Sequence, residues 1–124
     1  MRTAVGIAVA GAVGALARYA VEGFVSRRMS GAFPWGTLIV NVTGAFVLGF
    51  LFTLFADRLL TPPWLRSTLL IGFLGGYTTF STLSLETLRL FQDGAHLLAL
   101  ANGAGSLVAG LVAVYTGIVL GRWI

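Results

Sequence analysis

The sequence predicts an all-α integral membrane protein of four transmembrane helices, the third of them broken near Gly75 to Thr78. One domain takes up the whole of residues 1–124. Three observations predict it. First, 57% of the residues are hydrophobic and only 10% are charged, with a mean hydropathy of +0.94, far too apolar for a soluble domain of this length. Second, four apolar stretches reach the ~20 residues that a helix needs to cross the hydrocarbon. Third, the third stretch carries the pair Gly75-Gly76 followed by Thr78, Thr79, Ser81, Thr82 and Ser84, hydroxyls for which a lipid-facing helix has no use.

Taken in order, the crossings cover about residues 3–25, 35–56, 64–91 and 95–121. The first follows Met1-Arg2-Thr3 with no polar cleavage region behind a short apolar core, so it reads as a retained helix and not a removed signal peptide. Turn residues punctuate the intervals: Ser30-Gly31 with Pro34, then Thr61-Pro62-Pro63, then Gln92-Asp93-Gly94. Trp35, Trp64 and Trp123 fall at the ends of crossings, where amphipathic rings favour the interface. Small residues on the helix faces let backbones approach, among them Gly6, Gly11 and Gly14 in the first crossing, Gly44 and Gly49 in the second, and Gly103, Gly110 and Gly117 in the fourth. In the third crossing two adjacent glycines admit unusual backbone angles, so a helix entering at Trp64 breaks there and restarts near Thr79. Non-helical backbone at membrane depth is tolerated only where it is buried in protein or lines a wet cavity, which makes the break a candidate functional feature.

The basic residues are eight arginines and no lysine. Four crossings put Arg2, Arg58, Arg66 and Arg122 at one face and Arg27, Arg28 and Arg89 at the other, almost without the bias that normally fixes orientation. Either the exact boundaries hide a bias, or the chain inserts both ways and two copies assemble antiparallel. The second reading is the sharper one, because four packed helices enclose little interior and a second copy supplies the missing wall. Scattered arginines offer no concentrated basic patch, which excludes nucleic acid as a partner. The chain has no cysteine and a single histidine, His96. With no catalytic triad, no HExxH and no phosphate loop, it is not read as an enzyme.

Polar groups inside a crossing are costly and each needs a reason. Thr37 and Asn41 share one face of the second helix at i,i+4 spacing, and Asn102 and Ser106 repeat the pattern in the fourth. An Asn amide can offer N–H donors to an anion or tie two helices together, and both readings stand. Ser81 and Ser84, and Thr82 and Glu86, pair along the helix after the break. Phe80 can pack as any ring does, or hold an anion at its electropositive edge. Glu86 would repel anions in mid-pore and is placed in a vestibule, where an arginine could pair with it. Arg18 lies deep in the first crossing, snorkelling to the interface or lending positive charge to a pore mouth, with Glu22 one turn on.

Three segments carry a family resemblance: Gly14-Ala15-Leu16-Ala17-Arg18-Tyr19, then Gly36-Thr37-Leu38-Ile39-Val40-Asn41-Val42-Thr43-Gly44, then Gly75-Gly76-Tyr77-Thr78-Thr79-Phe80-Ser81-Thr82 with Glu86 beyond. In this order, in a four-crossing chain, the sequence resembles the Fluc (CrcB) family of fluoride channels over essentially its whole length. The resemblance implies a dual-topology antiparallel homodimer in the inner (plasma) membrane with two pores, passively exporting F⁻ and so protecting against fluoride toxicity. It further implies a structural Na⁺ held by backbone oxygens of Gly75 and Thr78 from both copies. Asn41 and Phe80 would line the pore, with Ser81, Thr82 and Ser106 as a hydroxyl track. Leu83 departs from the pattern, because family members commonly carry a second Phe there. Asn102 falls where they carry Tyr or Asn.

Two other classes compete. A small proton-coupled multidrug exporter is also a four-helix chain of this size, but it needs a carboxylate at mid-membrane, and Glu22 and Glu86 lie elsewhere. A membrane scaffold would use Asn41, Asn102 and the glycines only to hold helices together.

Overall fold

A computed structural model describes residues 1–57 and 60–124. Helix α1 (Arg2–Arg28) ends with Arg27 and Arg28 in its last turn, where cations complement the exposed carbonyls. Gly31, with φ of 110°, turns the chain back towards α2 (Trp35–Asp57). The third crossing, Pro63–Gln92, is built in pieces. It opens with α3 (Pro63–Ser67), whose Pro63 stands in the first turn where no N–H is missed. A π-helical segment Thr68–Phe73 and a short α4 (Leu74–Tyr77) follow. Thr78 (φ −82°, ψ 157°) and Thr79 (φ −148°, ψ 118°) are extended, and α5 (Phe80–Gln92) restarts the helix. Gly94, with φ of 78°, makes the last turn. The fourth crossing, His96–Trp123, contains α6 (His96–Leu100), a second π-helical segment Ala101–Gly105, and α7 (Ser106–Trp123).

These four helical crossings are each long and apolar enough to span a bilayer, as the sequence predicts. The three tryptophans stand at helix ends, also as predicted. The Arg2 guanidinium lies 6.0 Å from the Trp64 ring and that of Arg66 lies 5.2 Å from the Phe52 ring. Those contacts gather the start of α1, the end of α2 and the start of α3 at one end of the bundle. Arg58, assigned by the sequence to this end, lies outside the described residues.

Two helix pairs make the framework. Helix α2 packs along α7, and α1 packs along the first half of the third crossing. Close backbone approach explains the glycines at these seams. A Cβ on Gly117 would overlap the Phe46 carbonyl, one on Gly49 the Val114 carbonyl, and one on Gly14 the Phe73 carbonyl. A Cβ on Gly110, expected among the packing glycines, would meet nothing within 4 Å.

The break lies where the sequence places it, but for a different local reason. Gly75 and Gly76 are both helical, inside α4, and neither has a positive φ. Gly76 is there because a side chain would overlap the Gly11 carbonyl of α1. The interruption itself falls on the two threonines that follow.

Candidate functional site

An extended pair of residues in a crossing leaves backbone groups that must find partners or water. At the break, Asn41 of α2 supplies them. Its Oδ1 accepts from the Thr79 N–H at 2.7 Å and its Nδ2 donates to the Thr79 carbonyl at 3.0 Å. One amide thus closes both hydrogen bonds of one residue, as a neighbouring strand would. The Thr79 N–H would otherwise have completed a helical bond to the Gly75 carbonyl, which therefore lacks its helical donor. Thr79 also caps α5: its Oγ1 accepts from the Thr82 N–H at 3.3 Å and donates to Thr82 Oγ1 at 3.0 Å. On the other side of the break, Thr78 folds its hydroxyl back onto the Leu74 carbonyl at 2.9 Å.

A cleft of about 320 Å³ opens beside this break, lined among others by Asn41, Thr78, Phe80, Leu83 and Ser106. Among the described residues no charged side chain lines it. Phe80 is 82% exposed to it and to the bundle surface. Ser106 is 6% exposed, and its Oγ is buried without a hydrogen-bond partner among the described residues. Helix α5, which forms one wall, separates its polar from its apolar residues far more strongly than α1, α2 or α7. A helix so divided borders something wetter than lipid on one side.

A second cleft, of about 300 Å³, opens at the end of the bundle where α1 meets α2, with Glu22, Ser26, Trp35, Thr37 and Glu86 among its lining. The buried Thr37 hydroxyl donates to Glu86 Oε1 at 2.8 Å. The counter-group of Glu86 is therefore a hydroxyl, where the sequence reading admitted an arginine. Glu86 Oε2 and Glu22 Oε1 are buried with no partner among the described residues. Arg18 and Glu22, one turn apart, form no ion pair there, and Glu22 lays its stem against Gly36 instead.

The structure thus brings Asn41, Thr78, Phe80, Leu83 and Ser106 to one cleft and Thr37 with Glu86 to another. It sets Ser81 and Thr82 in the capped first turn of α5, with Ser81 Oγ 3.5 Å from Thr79 Oγ1. Asn102 is fully buried and donates to Thr87 at 3.0 Å.

A family model described as "CrcB-like protein, Camphor Resistance (CrcB)" matches residues 5–118. The chain belongs to the CrcB family. Among similar CrcB relatives, a "Fluoride-specific ion channel FluC" of Magnetococcus marinus is 49% identical over 118 residues, 95% of this chain and 96% of the relative. One of the same name from Citrifermentans bemidjiense is 47% identical over 122 residues, 98% of each chain. Another from Solibacter usitatus is 43% identical over 116 residues, 94% of this chain and 95% of the relative. That shared name describes a channel and not an enzyme.

Two residues of this CrcB chain, Thr79 and Thr87, make contacts at the site that the sequence analysis does not assign to them. Thr79 was legible in principle, since a Thr just before a restarting helix is a capping signal. Thr87 was not, because its partner Asn102 lies on another crossing.

Proposed function

We propose that this chain forms a fluoride-selective channel through which F⁻ leaves the cytoplasm down its gradient. The observation that carries the reading is Ser106: a hydroxyl buried without a partner among the described residues, on a residue that lines a cleft at the break of a membrane helix. Fluoride is small and holds its water strongly, so a selective path must replace that water with dense donors at a constriction. Ser106 offers its O–H. Asn41 keeps one amide N–H beyond the bond to Thr79, and Phe80 offers the positive edge of its ring. None is a fixed cation, which would bind the ion too long for it to leave. Thr37 and Glu86 stand at the mouth. Neutral HF crosses bilayers and dissociates inside, so a passive exit prevents accumulation without an energy source.

A single copy leaves Phe80, Leu107 and Leu111 exposed around the cleft, and open space where a Cβ on Gly75 would stand. A second, inverted copy would cover these faces and close each pathway. The arginines support that arrangement: Arg2, Arg66 and Arg122 at one end balance Arg27, Arg28 and Arg89 at the other. The Gly75 carbonyl without its helical donor, the extended Thr78 and the open space beside Gly75 fit a hard monovalent cation, which takes oxygen ligands. Gly75 and Thr78 of two copies would hold such an Na⁺. When bound, it supplies fixed positive charge where the dielectric is low.

The test is reconstitution into liposomes loaded with fluoride, with efflux followed by a fluoride electrode. Rapid F⁻ efflux with little Cl⁻ flux and no need for a proton gradient is expected. No flux, or proton-driven uptake of an organic cation, would overturn the reading.

A further inference from the structure

Thr87 stands on α5 one turn after Leu83, and its hydroxyl has two neighbours. It donates to the Leu83 carbonyl at 2.7 Å, and the Asn102 Nδ2 lies 3.0 Å from the same oxygen. A hydroxyl has one proton, so towards Asn102 it can only accept. That fixes the amide: NH₂ towards Thr87, carbonyl oxygen away from it. Asn102 is 0% exposed, and its Oδ1 has no donor among the described residues. Ser106 follows at i,i+4 across the π-helical segment Ala101–Gly105, its own hydroxyl buried and unpartnered. Native interiors rarely leave a buried acceptor and a buried donor unmet on the same stripe of one crossing. A π-helical insertion in an α-helix is itself frequent at functional positions, because it re-aims the side chains that it carries.

We infer that Thr87 is a positioning residue of the ion pathway: by locking the Asn102 amide, it keeps the Asn102 carbonyl oxygen as a competing acceptor for the Ser106 proton. Without an ion, the Ser106 O–H turns to Asn102 Oδ1, after a small shift or through one bridging water. With an anion in the cleft, the O–H turns to the anion. The proton stays on Ser106 throughout and no covalent bond changes. The competition weakens the hold of Ser106 on the ion, and conduction needs binding weak enough to release.

This inference rests on the proposed fluoride conduction, and a saturation curve separates the two. Initial efflux is measured against fluoride concentration for wild type, Thr87→Val, Thr87→Ser and Asn102→Leu in liposomes. In Thr87→Val the amide is free to flip and give an N–H to Ser106, and in Asn102→Leu the competing acceptor is gone. Both variants are expected to bind fluoride more tightly and release it more slowly. Half-saturating concentration and maximal flux should each fall about tenfold, the factor that one buried hydrogen bond makes. Thr87→Ser keeps the hydroxyl and should match wild type. A maximal flux lowered at unchanged half-saturation would mark Thr87 as merely structural and overturn the inference. Wild-type behaviour in Thr87→Val would do the same, as would wild-type behaviour in Asn102→Leu should Thr87→Val fail to fold. A wild-type protein without fluoride flux would overturn the proposed function as well.

Discussion

Asn41 does two things at once, and the two can be separated by mutation. Its amide holds both backbone groups of Thr79, and the residue lines the cleft beside the break. Asn41→Ala leaves the Thr79 N–H and carbonyl unmet at membrane depth, each costing about 1–3 kcal/mol when buried. The variant should lose fluoride efflux and melt earlier in detergent. Phe80 makes no such bond and is largely exposed, so Phe80→Ala should lose efflux while its melting temperature stays near that of wild type. Equal melting of the two variants would show that Asn41 does not secure the break. At this scale the sequence named Asn41 correctly as a polar group needing a reason, and left open whether that reason is an ion or a neighbouring helix. The partner turned out to be backbone, which no side-chain pattern encodes. The same holds for Asn102: its burial and its bond to Thr87 depend on how the fourth crossing lies against α5.

Among the helices, the glycines divide by what stands opposite them. Gly117 of α7 sits against α2 so closely that an added methyl would meet the Phe46 carbonyl, and backbone cannot move aside as a side chain can. Gly117→Ala should destabilise the fold by about 1–3 kcal/mol, as overpacking does, seen as a lower melting temperature. Gly110 lies two turns before it, where an added methyl would meet nothing within 4 Å, and lines the cleft at the break. Gly110→Ala should melt like wild type yet conduct fluoride more slowly in the liposome assay, because its methyl narrows the path. The sequence marked both residues alike as small. The third crossing shows the same limit: its broken character was legible from glycines and hydroxyls in an apolar run, whereas the residue at which it breaks was decided by Asn41 reaching Thr79.

For the whole molecule, the balance of arginines at the two ends leads to a test of insertion. A single cysteine placed at the N-terminus should be labelled by an impermeant reagent from both sides of the membrane in comparable amounts. Added arginines at one end should force one orientation and abolish fluoride efflux unless an oppositely biased copy is co-expressed. Efflux from a uniformly oriented population would refute the antiparallel pair. The sequence by itself determined that this chain crosses a membrane four times, that its third crossing is interrupted, and that it belongs among the CrcB proteins. Those properties follow from the length and apolarity of continuous segments and from residues close together in the chain. Only the tertiary structure decided which polar groups are satisfied and which are left unpartnered among the described residues: Asn41 on Thr79, Thr37 on Glu86, Asn102 on Thr87, and Ser106 unmet. Hydrogen bonds are short-ranged and directional, so their pairing is set by where separate helices meet, and that meeting is a property of the packed bundle.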